Sequence, residues 1–183
     1  YDLLDRPMDI FSLNDKEINN DLKRLANDDL NRTTFSLHNT IIGDQVYIED
    51  GAKVQGSFLN SEDGPIYIAN GAEIMEGSMV RGPLVMHEGS VLKLGTKVYG
   101  ATTLGPYCKV GGEVNNVVFQ GYANKAHDGF LGNAVIGEWC NIGAGTDASN
   151  LKNDYGLVRV WDYTSGNFTK TDLQFCGLMM GDY

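Results

Sequence analysis

The chain has 183 residues, of which 42% are hydrophobic, and its formal net charge at pH 7 is −10. This length suits one well-buried domain with an appendage, and no apolar run approaches the length of a membrane span. The negative charge argues against non-specific binding to nucleic acid and against an anionic membrane surface. The three scattered cysteines form no C-x-x-C pair and the sequence shows no secretory signal, so we expect a cytoplasmic protein with reduced thiols.

The first segment, residues 1–35, is predicted to be a linker with one short helix. Asn14 is a candidate N-cap with Glu17 three residues later. An apolar stripe follows, formed by Ile18, Leu22 and Leu25. We therefore expect a helix over roughly residues 15 to 28, preceded by an extended R-P-M-D-I-F stretch. Its apolar stripe is expected to cover the N-terminal end of the following repeats or to face a further domain.

A period of six residues dominates the rest of the chain. Every sixth residue from 68 onward is apolar: Ile68, Ile74, Val80, Met86, Leu92, Val98, Leu104 and Val110. The same phase occurs earlier at Ile42, Ile48 and Val54, and later at Phe130, Ile136, Ile142 and Ala148. Glycine often stands three residues after an apolar position, and small residues often stand four after it. This period is neither helical nor a two-residue alternation.

A six-residue period fits an all-β solenoid over residues 36–183. Each hexapeptide would form a short strand and a turn, with the aliphatic residue pointing inward, and about three hexapeptides would close a triangular coil. Stacking of coils then supplies the stability. The pattern is lost near residues 150–170, which predicts an interrupting loop. The final M-G-D-Y resembles the opening of another hexapeptide, so we expect the solenoid to be truncated at its C-terminus.

One histidine has unusual neighbours in the sequence. His38 and His87 occupy ordinary turn positions, and the three histidines lack the close paired spacing of a zinc site, so we expect no metal in this segment. His127 stands fourteen residues before Asn141, which opens the run N-I-G-A-G-T, and Asn150 follows nine residues later. The glycines of this run permit close approach of a ligand to the main chain.

The run N-K-A-H-D-G-F-L-G-N-A-V-I-G-E-W-C-N-I-G-A-G-T resembles a known family of bifunctional enzymes. This family is the N-acetylglucosamine-1-phosphate uridyltransferase/glucosamine-1-phosphate acetyltransferase family, and the resemblance is to its hexapeptide-repeat C-terminal domain. The R-P-x-D-I-F and E-W-C-N stretches look closest to Bacteroidetes sugar nucleotidyltransferases, in which a nucleotidyltransferase domain precedes the solenoid. The resemblance implies a left-handed parallel β-helix, a homotrimer and binding sites between neighbouring subunits.

The same resemblance implies transfer of an acetyl group from acetyl-CoA to an amino sugar or sugar phosphate. His127 would act as the general base that removes a proton from the attacking amine. The residues implied to contact the substrate are Asn141, Asn150, Phe130 and Tyr155. The residues implied to contact the thioester or pantetheine arm of acetyl-CoA are Ala144, Gly143 and Gly145.

Two functions from different classes stay open at this point. The first is a CoA-dependent acyltransferase domain, which the His127 to Asn141 spacing favours. The second is a non-catalytic trimerising or regulatory β-helix fused to a sugar-1-phosphate nucleotidyltransferase. Asn115 and Asn116 stand where the family has a basic pair, with Lys97 as the one nearby cation, and this departure favours the second.

Four further residues close to this run receive structural interpretations. Lys125 and Lys152 are predicted to be solvated lysines on either side of the expected ligand-binding groove at His127. Trp139 is predicted to be a packing residue at a solenoid corner, and Cys140, at a small-residue position, to belong to the core.

Overall fold

The computed structural model describes residues 2–25 and 38–183. One helix, α1 (Pro7–Leu25), precedes a solenoid of short parallel strands that form three flat faces. Face 1 holds β1 (Thr40–Ile42), β4 (Phe58–Asn60), β7 (Met79–Arg81) and β10 (Lys97–Tyr99). Face 2 holds β2 (Val46–Ile48), β5 (Ile66–Ile68), β8 (Leu84–Met86) and β11 (Thr102–Leu104). Face 3 holds β3 (Lys53–Val54), β6 (Glu73–Ile74), β9 (Val91–Leu92), β12 (Lys109–Val110) and β14 (Asn124–Lys125).

The later coils extend this pattern and add a hairpin. Two long strands, β13 (Glu113–Phe119) and β15 (Phe130–Ile136), pass through the corner from face 1 to face 2. The antiparallel hairpin of β16 (Arg159–Asp162) and β17 (Asn167–Lys170) leaves the solenoid, and β18 (Met179–Met180) returns to face 2. The mostly parallel solenoid with one short helix fits the predicted left-handed β-helix. Among the described residues, no helix is long and apolar enough to span a bilayer.

The six-residue phase correctly identifies most of the interior. All eight apolar positions from Ile68 to Val110 are buried, because strands of successive coils pair in register and stack like residues. The phase is wrong at Ile42, which is exposed, since Ile41 pairs with Leu59 and packs on the core instead.

Phe130 is the second position at which the phase is wrong. Phe130 pairs with Glu113, so the coil between them spans seventeen residues instead of the expected eighteen. Leu131, in register with buried Val114, therefore takes the inward position. Phe130 lies half-buried on the outer side of face 1.

Helix α1 begins earlier than predicted. Pro7 opens the first turn, where its missing N–H costs nothing, and the Asp9 carboxylate accepts hydrogen bonds from the Arg6 and Asp5 N–H groups. The R-P-M-D-I-F stretch is thus mostly helical and not extended. The predicted helical residues 26–28 lie outside the described residues.

The helix lies along face 2 and not over the N-terminal end of the solenoid. Met8 and Phe11 form a small core with Val135 and Cys176, which the partly buried side chains of Ile10, Val158, Val160, Leu173 and Met179 extend. Asn14 is no N-cap. It lies buried in mid-helix, where its Nδ2 donates to Ala101 O at 2.6 Å and its Oδ1 accepts from Thr103 Oγ1 at 2.8 Å.

An aromatic stack replaces glycine at one corner of the solenoid. The turn between faces 2 and 3 has a positive φ in every coil, and the first three coils use Gly51, Gly71 and Gly89 there. The next three coils use Tyr107, Tyr122 and Trp139, also at positive φ. Their rings stack with centroid separations of 5.6 Å and 4.6 Å. Stacking offsets the backbone strain, and Trp139 is a corner packing residue as predicted.

Removing the middle ring should destabilise these coils. We expect Tyr122→Ala to lower the free energy of unfolding by about 1–3 kcal/mol, because two stacked pairs are lost while the strained φ remains. Urea denaturation followed by circular dichroism measures the change. The matched control is Tyr163→Ala, which removes an exposed ring and should change it by less than about 0.5 kcal/mol. Equal effects in both variants would contradict a stabilising stack.

Candidate functional site

His127 lies in a turn at the corner between faces 3 and 1. Residues 126–129 form this turn, and residues 143–146 form the equivalent turn of the next coil. The Gly145 N–H donates to Asp128 O at 2.9 Å, so the two turns are joined through the backbone. The His127 side chain is exposed, and its imidazole makes no hydrogen bond within the described part of the chain. The carboxylate of the adjacent residue, Asp128, therefore makes no hydrogen bond to the imidazole.

A groove beside this turn brings four predicted site residues together. It has a volume of about 410 Å³ and is lined by Lys109, Asn124, Ala126, His127, Asn141, Ile142, Gly143 and Ala144. A histidine, two amides and an ammonium thus share one open depression with small side chains that leave the main chain accessible. This groove is the candidate active site.

A polar ladder on face 3 forms one side of the groove. Lys109 pairs in register with Asn124, and Asn124 pairs with Asn141. Residues in register in a parallel sheet lie on the same side, so an ammonium and two amides follow one line. Lys109 and Asn124 were not predicted from the sequence to be site residues. Each precedes the inward residue of its coil, as Asn141 precedes Ile142, and that shared position is the signal that identifies them.

The predicted backbone donors in the N-I-G-A-G-T run differ in availability. The Gly145 N–H is already used by Asp128 O. The Ala144 N–H makes no hydrogen bond with any residue in the two described ranges, and Ala144 is exposed. Ala144 is therefore the better candidate for a donor to a developing oxyanion.

Three predicted substrate contacts lie outside this groove. Phe130 and Asn150 are on the face 1 side of the corner, where both side chains press against Gly132, leaving no space for a side chain at that position. Tyr155 is 69% exposed in the loop after the solenoid coil, where its carbonyl accepts from Gln174 Nε2 at 2.9 Å. The nearby Lys152 is exposed and pairs with Asp154, in agreement with a solvated lysine.

Asn150 is the last member of an asparagine ladder. Its Nδ2 donates to Asn133 Oδ1 at 2.7 Å. In the amide orientation that satisfies its neighbours, Asn116 accepts from Asn133 Nδ2 at 3.1 Å and donates to Phe11 O at 2.9 Å. This asparagine ladder links Asn150, on the face 1 side of the corner, to the backbone of helix α1.

Lys97, the one cation noted near Asn115 and Asn116 in the sequence, lies apart from His127. Lys97 and Tyr99 line a separate groove of about 350 Å³ on face 1, together with Phe58, Asn60, Met79, Val80, Arg81 and Val98. Lys97 is in register with Glu113, and Glu113 with Phe130, so Lys97 lies two coils away from Phe130. Arg81 is partly neutralised by Asp63, with an Nη1 to Oδ2 distance of 3.3 Å.

Lys125 departs from its predicted role. It is 2% exposed and occupies an inward position of face 3, and its Nζ donates to three carbonyl oxygens. Burial lowers the pKa of this ammonium, while the carboxylates of Asp128 and Asp147 act in the opposite direction. The prediction of a solvated lysine was wrong because the coils here are shorter than eighteen residues and shift Lys125 inward.

Cys140 lies in the interior of the solenoid. Cys140 is buried, as predicted for a core residue, and burial raises the pKa of its thiol, which disfavours the nucleophilic thiolate. Within residues 2–25 and 38–183, no group of three His, Cys, Asp or Glu side chains could hold a metal ion.

The fold is that of a mostly parallel β-solenoid and fits the class of left-handed β-helix domains. A scan against protein-family models matches none of them. The chain is similar to the bifunctional protein GlmU of Synechococcus elongatus, with 27% identity over 130 residues that cover 64% of this chain and 28% of that protein. The bifunctional protein GlmU of a second Synechococcus strain matches with the same identity and coverage. The chain thus spans under a third of the length of these relatives, and the similarity fits a GlmU-like hexapeptide-repeat domain.

Proposed function

We propose that this chain is a CoA-dependent acyltransferase domain that transfers an acetyl group to the amine of an amino sugar or sugar phosphate. The observation that carries the proposal is the single groove shared by His127, Asn141, Gly143 and Ala144. The family resemblance of the sequence implies a role for each of these four residues. The sequence similarity to GlmU supports the same reaction class.

The proposed proton transfer uses the exposed His127 imidazole. A neutral imidazole accepts a proton near neutral pH, and a positioned base contributes about a hundred- to ten-thousandfold to the rate. The amine nitrogen attacks the thioester carbonyl carbon while His127 takes its proton. The carbon–sulfur bond then breaks, and the leaving CoA thiolate takes the proton from the His127 imidazolium, so that atoms and charges balance.

The groove fits an acyl donor with a long flexible arm and a phosphorylated end. Alanine and glycine at 126, 143 and 144 leave the main chain open to an extended pantetheine chain. The Ala144 N–H would donate to the thioester oxygen as charge develops there, which is the largest catalytic contribution in many acyl transfers. Lys109, at the other end of the polar ladder, offers a cation for a phosphate group.

The acceptor would lie between His127 and the two amides. Asn124 and Asn141 supply donors and acceptors that match sugar hydroxyls. Phe130, Asn150 and Tyr155 remain proposed contacts on the far side of the corner, and in a trimer a neighbouring subunit would complete the site. We propose a cytoplasmic homotrimer whose parent protein, like Bacteroidetes sugar nucleotidyltransferases, also carries a nucleotidyltransferase domain.

Calorimetric titration with acetyl-CoA tests the proposal. We expect binding in the range of about 1 μM to 1 mM, followed by release of free CoA when glucosamine 1-phosphate or another amino sugar is added. Lys109→Ala should weaken acetyl-CoA binding about tenfold through the loss of a charge-assisted contact. Lys152→Ala is the matched control, since that exposed lysine lies outside the groove. Absence of acetyl-CoA binding in the wild-type protein would reject the proposal.

The second candidate function is a non-catalytic trimerising module. Asn115 and Asn116 favour it, because the family resemblance implies a basic pair at these positions for binding the substrate. Asn116 instead hydrogen-bonds to Asn133 and to the backbone of helix α1. Such a module would form trimers yet bind no acetyl-CoA. Sedimentation analysis combined with the calorimetric titration therefore separates the two functions.

A further inference from the structure

Lys125 is a buried ammonium in an otherwise aliphatic column of the solenoid. The other coils place aliphatic side chains at the equivalent inward position of face 3: Val54, Ile74, Leu92, Val110 and Ile142. Burying an ammonium is expensive unless every donor finds an acceptor. We therefore expect the lysine in this column to have a specific structural or functional role.

The bonds of Lys125 are concentrated on one corner of the solenoid. Its Nζ donates to Gly129 O at 2.6 Å, to Gly111 O at 2.9 Å and to His127 O at 3.1 Å. These three bonds satisfy all three donors of the ammonium. Two of the acceptors belong to the turn of residues 126–129, and one of them is the carbonyl of His127 itself. Gly129 O is also held by the Glu113 N–H at 3.2 Å.

The geometry points to Lys125 as a positioning residue that fixes the backbone of His127 from inside the solenoid, and this inference rests on the proposed acyltransferase function. No side chain in the described residues hydrogen-bonds to the exposed imidazole of His127, so the backbone of the turn sets where it projects into the groove. Charge-assisted bonds to carbonyls are stronger than neutral ones, so an interior ammonium holds the turn more firmly than another hydrophobic side chain could. A displacement of about 1 Å in a reacting group can cost up to a hundredfold in rate.

Replacing Lys125 by methionine tests this role. Methionine has a similar length and suits the aliphatic column, so we expect a folded protein with the wild-type β-sheet circular dichroism spectrum. The turnover number should fall about ten- to hundredfold, while the KM for acetyl-CoA stays within about twofold, because the groove residues are retained. The NMR signals of the His127 imidazole and of the amides of residues 126–129 should shift or broaden. Leu92→Met, in the same column two coils away, is the matched control and should change none of these.

Other results for the Lys125 variants would contradict the positioning role or separate it from the proposed function. A Lys125→Met protein with wild-type turnover and wild-type signals for residues 126–129 overturns the inference. If that variant does not fold, Lys125→Gln, which keeps a neutral donor, should fold and show the same NMR changes with a smaller loss of turnover. Failure of both variants to fold would make Lys125 a residue of the fold as a whole, and the inference would be wrong. If the wild-type protein transfers no acetyl group, the proposed function fails, and the NMR comparison still decides whether Lys125 holds the turn.

Discussion

Replacing His127 by alanine should lower the turnover of acetyl transfer by at least about a hundredfold, because alanine cannot accept the proton from the attacking amine. Binding of acetyl-CoA should change little, since the proposed donor contacts come from Ala144 and Lys109. Release of free CoA, measured with a thiol reagent at saturating amino sugar, gives the turnover number. Calorimetry on the same variant measures binding separately from chemistry.

His87→Ala is the matched control for this experiment. His87 is also an exposed turn histidine, but it belongs to another corner and lines no part of the groove. Its replacement should leave turnover within about twofold of wild type. If His127→Ala loses no more activity than His87→Ala, the general-base role is rejected, even where the protein still binds acetyl-CoA.

Phe119→Ala should give the largest loss of stability among single truncations of the interior. Phe119 is fully buried and is in register with Leu104 in one neighbouring coil and with Ile136 in the other. Truncation would leave a cavity between two coils, and such substitutions cost about 3–5 kcal/mol. Each coil depends on its neighbours, so the cavity should also loosen the coil that carries His127.

Urea denaturation of the Phe119→Ala protein, followed by circular dichroism, measures this loss. Phe168→Ala provides the comparison, because Phe168 is 56% exposed on the hairpin outside the solenoid, where its ring contacts Trp161 edge-on and lies under the Arg159 guanidinium. We expect about 1 kcal/mol or less for that change. A Phe119→Ala protein with the stability of Phe168→Ala would mean that the interior repacks around the missing ring.

Four of the eight groove residues, His127, Asn141, Gly143 and Ala144, were predicted from the sequence. They lie in consecutive coils, and stacking brings the turn of residues 126–129 next to the turn of residues 143–146. Asn150, Phe130 and Tyr155 lie outside the groove, and their proposed contacts with substrate stay predictions. Asn150 follows the same repeat, but its amide is bonded by Asn133, and that contact depends on a corner conformation that the residue types alone do not reveal.

The solenoid was predictable from the amino-acid sequence, since inward residues recur at a fixed local period and every coil repeats the same strand-and-turn geometry. The sequence also determined the spacing of His127 and Asn141. Packing between coils sets the length of each coil, and that length selects the residues that face inward. Coils of seventeen residues or fewer place Leu131 in the core instead of Phe130, and they place Lys125 in the inward column of face 3. The packing of helix α1 on face 2 also could not be predicted from the sequence. An apolar stripe indicates that a helix packs against some surface, but it does not indicate which surface.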